Sequence, residues 1–151
     1  MDDIHLFLAH AIQLEKEAAR RYEELTAAMG TAGNREVEAF FKEMAHFSRK
    51  HLAEAMARGG FRVVPQLRPE EYRWPEGTSP ESAAWEGVDA FIDVPAALEL
   101  ALEAERQGLA FYATIAATTK NVRVQRMAQE FAEEESEHVT ALEKWIQKVS
   151  P

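Results

Sequence analysis

Four stretches of this chain carry apolar residues at alternating steps of three and four, the spacing of one buried face on a helix. The first seam runs Leu8, Ala11, Glu15, Ala18, Tyr22, Leu25, Met29, and the second Val37, Phe41, Met44, Ser48, His51, Ala55. The third reads Leu98, Ala101, Glu105, Gly108, Tyr112, Ile115, and the fourth Val124, Ala128, Phe131, Glu135, His138, Leu142, Trp145, Val149. Each is interrupted near its middle by polar residues. A chain of this kind must pack its helices against one another, and whatever breaks the stripes must end up at a common depth.

The local signals place the helices at about 3–29, 34–58, 94–118 and 121–148. Gly30 and Gly33 end the first, and Asn34 is suited to cap the second. Gly59-Gly60 stops that helix; Asp93, with Pro95 in the first turn, opens the third, and Asn121 the fourth. Between them, Pro65, Pro69, Pro75 and Pro80 forbid a continuous helix, while Trp74 and Trp85 supply apolar anchors. Ser79-Pro80-Glu81 resembles a helix start, which predicts a short helix near 80–91. A connection as long as 59–93 spans a distance or has a task, such as covering a site or a partner surface.

The two halves repeat. Glu15 and Tyr22 recur ninety residues later as Glu105 and Tyr112; Asn34, Val37, Ala45 and His51 recur eighty-seven residues later as Asn121, Val124, Ala132 and His138. The expected fold is all-α, a single domain over 1–151 in which two helical hairpins, joined by a long crossover, form a four-helix bundle with approximate two-fold internal symmetry.

Composition narrows the function classes. With 17 basic and 26 acidic residues the net charge is −9, which argues against nucleic acid and against an anionic membrane surface. There is no long apolar run and no signal-peptide pattern, so a cytoplasmic location is the default expectation. Without cysteine there is no disulfide framework, zinc finger or sulfur-ligated iron centre.

The residues that break the seams point to a metal. Taken singly, a seam Glu is ordinarily a helix end and a seam His an ordinary hydrogen-bonded core residue. Three carboxylates (Glu15, Glu105, Glu135) and two imidazoles (His51, His138) on four seams form a different case, because buried charges require partners. No Lys or Arg occupies the seams at that level. Carboxylates with imidazoles and no sulfur suit iron or manganese, and two ions can share bridging carboxylates. Ser48 is a weak ligand at the same level, and the Tyr22 and Tyr112 hydroxyls are placed to fix ligand carboxylates by hydrogen bonds or to serve as core aromatics. Glu43 and His46 have ligand spacing but fall on the opposite face, so they are read as surface residues.

The pieces Glu15-x6-Tyr22, Glu105-x5-Phe111-Tyr112 and Phe131-Ala132-Glu133-Glu134-Glu135-Ser136-Glu137-His138 resemble the rubrerythrin-type branch of the ferritin-like superfamily, over about 5–58 and 94–149. The resemblance implies a ferritin-like di-iron carboxylate bundle that acts on dioxygen or peroxide, or oxidises ferrous iron. It departs from that pattern in three places. Ser48-Arg49-Lys50-His51 stands where the family has Glu-x-x-His, Gly108 stands where rubrerythrin carries an extra Glu, and the cysteine-ligated rubredoxin module is missing, so electrons must come from a separate protein.

Two function classes stay open. The first is a non-haem di-iron oxidoreductase, of peroxidase or ferroxidase type, with two irons on Glu15, His51, Glu105, Glu135 and His138. The second is a degenerate protein with one ion (iron, manganese or zinc) or none, serving a structural or partner-binding role. A ferritin-like iron store is a third variant, and the family's habit of pairing leads to an expected homodimer.

Overall fold

Capping residues set where each helix begins. In the computed structural model, which describes residues 1–75, 77, 79 and 89–150, Asp3 accepts the Leu6 amide at 2.8 Å and opens α1 (Ile4–Ala32). Asn34 accepts from Val37 and opens α2 (Arg35–Gly59). Asp93 accepts from Ala96 ahead of α3 (Val94–Thr118), and Asn121 accepts from Arg123 and Val124 ahead of α4 (Val122–Val149). Each cap satisfies amides that the first helical turn leaves without a partner. No strand occurs among the described residues.

The first helix outlasts its expected end. Gly30 stays helical, and the turn to α2 falls at Gly33, whose left-handed φ of 77° suits glycine. A side chain at Gly30 would meet only the end of the Glu38 side chain, which would have to turn aside.

Helices α1 and α2 pack as one hairpin and α3 and α4 as the other, giving the four-helix bundle. The crossover contains a single 3-10 turn, Pro69–Glu71, among its described residues. Tyr72 and Trp74 stack on each other and pack against His10 of α1, and Trp74 also meets Phe111 of α3. The crossover therefore covers the α1–α3 side. Trp85 and most of the short helix expected near 80–91 lie outside the described residues. At the end of the bundle Asp2 clasps the α3–α4 turn, accepting from the Lys120 amide at 2.7 Å and the Thr119 hydroxyl at 2.9 Å, while Asn121 donates to its carbonyl.

All four seams face inward, and the buried apolar residues divide into two clusters. One holds Leu25, Met29, Phe41, Leu98 and Leu142; the other holds Phe7, Ile12, Phe111, Val124 and Ala128. Every helix runs from one cluster to the other, and between them lies a polar layer. Each large apolar side chain fully buried contributes about 1.5–3 kcal/mol. An uncompensated charge in the layer between costs several kcal/mol, so the two clusters hold in place a layer that opposes folding. No described helix is long and apolar enough to cross a membrane.

Candidate metal centre

The polar layer is populated as the seams anticipate. Glu15, Ser48, Glu105 and Glu135 are buried, and His51 and His138 are largely so. Their arrangement is uneven, however. Glu105, Glu135 and His138 converge, offering ligand atoms within 4.8 Å of one another. His51 forms a second group of the same tightness with Glu54 and Glu134. Glu15 belongs to neither group; its Oε1 lies 3.9 Å from His51 Nδ1.

The imidazoles link the groups. The His51 and His138 rings face each other nearly parallel, 5.9 Å apart at 15°. His138 Nδ1 lies 3.4 Å from Glu105 Oε2, and His51 Nδ1 lies 3.6 Å from Glu134 Oε2.

Tyr22 and Tyr112 differ although their sequence positions match. The Tyr22 hydroxyl donates to Glu105 Oε1 at 2.5 Å, reaching across from the first hairpin to the second. The Tyr112 hydroxyl is buried with no hydrogen-bond partner among the described residues, and its ring packs on Phe7, Phe111 and Phe131. Burial pushes both phenols well above their ordinary pKa, so both stay protonated.

A cation lies beside the seams, although none lies on them. Arg21 stands one position off the α1 seam, yet it is only 1% exposed, with a guanidinium nitrogen 3.6 Å from Glu105 Oε1 and its charge over the Tyr22 ring. A fixed cation is therefore present at the level of the carboxylates. The stripe pattern missed it because Arg at a flank position is ordinarily a solvent-facing residue. Glu54 and Glu134 were missed for a similar reason: they flank the seams. The signals that could have found them are the His51-x-x-Glu54 spacing, one helical turn apart, and the acidic run Glu133-Glu134-Glu135. Glu43 and His46 are exposed, as their face predicts.

Electrostatics follow from burial and crowding. Burial, and then the charge of Glu105, push the Glu15 and Glu135 carboxyls well above the ordinary range. Burial opposes ionisation of Glu105 too, but its Glu135, His138 and Arg21 neighbours outweigh it and hold Glu105 low. Burial and the nearby Glu130 and Glu54 lift Glu134 to about 7. His51 is lowered by burial and by facing His138, whereas for His138 burial is outweighed by Glu105, which raises it.

A cation fits this donor set. His51 Nδ1, His138 Nδ1, Glu105 Oε2 and Glu135 Oε2 are all buried without a hydrogen-bond partner among the described residues. Buried lone pairs and ring nitrogens of this kind carry a large desolvation cost that a coordinated ion removes. Oxygen and imidazole donors without sulfur match iron, manganese or zinc.

The site opens to solvent between α2 and α4 through a cavity of about 290 Å3. Phe40, Met44, Phe47 and Ala141 form its apolar walls, Glu43, Glu134 and Glu137 are acidic, and His51 and His138 are reached from it. Among the described residues, nothing from the crossover lines this opening.

His10, unremarked in the seams, is fully buried as well. Its Nδ1 lies 2.8 Å from the Leu6 carbonyl, to which it donates, and its Nε2 accepts the Arg73 amide at 2.8 Å. Burial lowers its pKa, so it is a neutral core histidine tying α1 to the crossover.

The chain matches the profile of the Rubrerythrin family over residues 7–71 and 96–151. A crystal structure of an uncharacterized conserved protein from Magnetospirillum magnetotacticum MS-1 is similar with a TM-score of 0.76 at 39% identity, covering 96% of this chain and 94% of that one. No curated protein matches the sequence.

Proposed function

We infer the function from a fixed premise: the chain belongs to the rubrerythrin family. We propose that it is a non-haem di-iron oxidoreductase that reduces peroxide or dioxygen, or oxidises ferrous iron. Glu15, Glu105, Glu135, His51 and His138 would hold two irons. The observation that supports this most directly is the convergence of Glu105, Glu135 and His138 at one buried level, with His51 stacked on His138.

Iron held by these residues would supply electrons to the oxidant and a Lewis-acidic position for it. The chain's own residues do the rest. Ionised Glu105, held by Tyr22 and Arg21, presents a carboxylate of fixed orientation. The α2–α4 cavity, with Phe40, Met44, Phe47 and Ala141 on its walls, leaves room for a small oxidant to reach the imidazoles. Electrons would come from a separate protein, since the chain has no cysteine, and the protein would work as a homodimer.

Anaerobic addition of ferrous iron, followed by peroxide, tests this reading. The expected result is two irons per chain by elemental analysis, a ferric charge-transfer absorption on oxidation, and peroxide consumption sustained by a reductant. A chain that binds no iron, or whose iron is inert to peroxide and dioxygen, removes it.

A second reading has its own support. Ser48 is buried where a carboxylate would complete the set, and Arg21 already places a cation beside Glu105. Both favour a single ion of structural or partner-binding role, iron, manganese or zinc. A Ser48→Glu variant separates the two: a rise from one bound ion to two identifies a degenerate site, and two ions already in the wild type exclude it.

A further inference from the structure

A second group of ligand-bearing side chains lies beside the first, joined to it through the facing His51 and His138 rings. His51, Glu54 and Glu134 bring three ligand atoms within 4.8 Å of one another, and none of the three is a seam carboxylate. Glu54 lies one helical turn after His51 on α2, so both side chains project to the same side. Glu134 comes from α4, next in sequence to Glu135, and turns outward where Glu135 turns in.

The charge of Arg58 reaches Glu54 and Glu134, but its hydrogen bonds go elsewhere. Arg58 is engaged with both oxygens of Glu130, at 2.8 and 2.5 Å. His51 Nδ1 is buried, has no hydrogen-bond partner among the described residues, and faces Glu134 and Glu15. Two carboxylates and an unpartnered imidazole nitrogen, drawn from two helices, are a coordination set rather than a patch of surface charge.

We propose that His51, Glu54 and Glu134 form an outer cation subsite beside the α2–α4 cavity, which His51 and Glu134 line, replacing the ligand absent at Ser48, with Glu105, Glu135 and His138 forming the inner subsite. This rests on the two-ion reading above and changes which residues hold the second ion. Glu54 is exposed and Glu134 half-buried, so the outer ion meets solvent while the inner ion is enclosed. The outer position is therefore the one that loads and exchanges quickly.

The test uses Co(II) as probe on the full chain, with bound metal counted per chain and release to a chelator followed in time. The expected wild-type result is two Co(II), released in a fast and a slow phase differing at least tenfold in rate. The E54Q/E134Q double variant, altered only at solvent-reached positions, should keep one Co(II) and lose the fast phase. E135Q should lose the slow one. Two Co(II) in the double variant, with both phases intact, overturns the outer subsite while leaving a two-ion centre standing. One Co(II) in the wild type that E135Q removes and the double variant retains also overturns it, in favour of a single inner ion. A wild type that binds no Co(II) ends both the subsite and the two-ion reading.

Discussion

The hairpin α1–α2 and the hairpin α3–α4 share one apolar pattern and differ in where they place charge. By the repeat, Arg21 of α1 stands where α3 has Phe111, and Ser48 of α2 stands where α4 has Glu135. The first half thus buries one seam carboxylate with a guanidinium near the layer, and the second buries two carboxylates with no buried Lys or Arg of its own among the described residues. The bonding is uneven in the same sense: Tyr22 reaches over to Glu105, but Tyr112 makes no matching bond to Glu15. The outer groups are exchanged too, since Glu134 corresponds to Phe47 and Glu54 to Ala141. A repeat can keep its helix-forming and packing residues while the charges at its centre are redistributed between copies, because the interior requires only that the layer as a whole be compensated.

The largest way to probe that balance acts on several groups at once. In metal-free protein Glu15, Glu134, Glu135 and His138 have folded pKa values raised above their unfolded ones. Each then contributes stability that is complete below its unfolded pKa and is lost as pH rises through the folded value. His51, lowered, acts in the opposite direction below its ordinary value, and Glu105, lowered, acts only below the ordinary carboxylate range. The melting temperature of metal-free protein should therefore fall between about pH 5 and about pH 8, and bound iron, which keeps its ligands deprotonated, should flatten that slope. A metal-free protein that grows more stable over this range contradicts the assignment of charge to the central layer.

Removing the first half's own cation comes next. Arg21→Met should destabilise the metal-free protein by about 3–5 kcal/mol in urea unfolding, because a buried carboxylate loses its charge partner. The same variant should hold metal more tightly, since an ion then does alone what ion and guanidinium did together. A loss below about 1 kcal/mol, the size of an exposed ion pair, would show that the two halves are compensated alike.

The tyrosines give a smaller and sharper contrast. Tyr22→Phe removes a bond to an ionised carboxylate and should cost about 1.5–3 kcal/mol. Tyr112→Phe removes a hydroxyl without a partner and should leave stability within about 0.5 kcal/mol of wild type, or raise it. Equal effects would restore the symmetry that the structure lacks. Smallest of all, Arg58→Ala breaks a partly exposed pair with Glu130, and its cost should stay within about 1 kcal/mol and shrink with added salt.

The four helices and the inward-facing seams were legible in the sequence because a period of three and four is imposed by helix geometry and survives any detail of packing. The level of Glu105, Glu135 and His138 was legible for the same reason. Arg21, Glu54 and Glu134 were not, since each sits beside a seam, where the period predicts solvent and only the approach of a second helix decides otherwise. His10 was hidden because its decisive partner, the Arg73 amide, belongs to a crossover whose path no periodicity describes. The end of α1 falls at Gly33 rather than Gly30 because only Gly33 takes the left-handed conformation that reverses the chain.

The clasp of Asp2 on the α3–α4 turn has a bearing on how the molecule assembles. It joins atoms 118 positions apart along the chain, whereas each hairpin closes through neighbours. Local hairpins form quickly and remote pairings slowly, so the expected outcome is that the clasp forms late, when the two halves dock. A spectroscopic label near Asp2 would time that docking, and adding a divalent ion before or after it would reveal whether the cation speeds the halves together or is taken up by an assembled bundle.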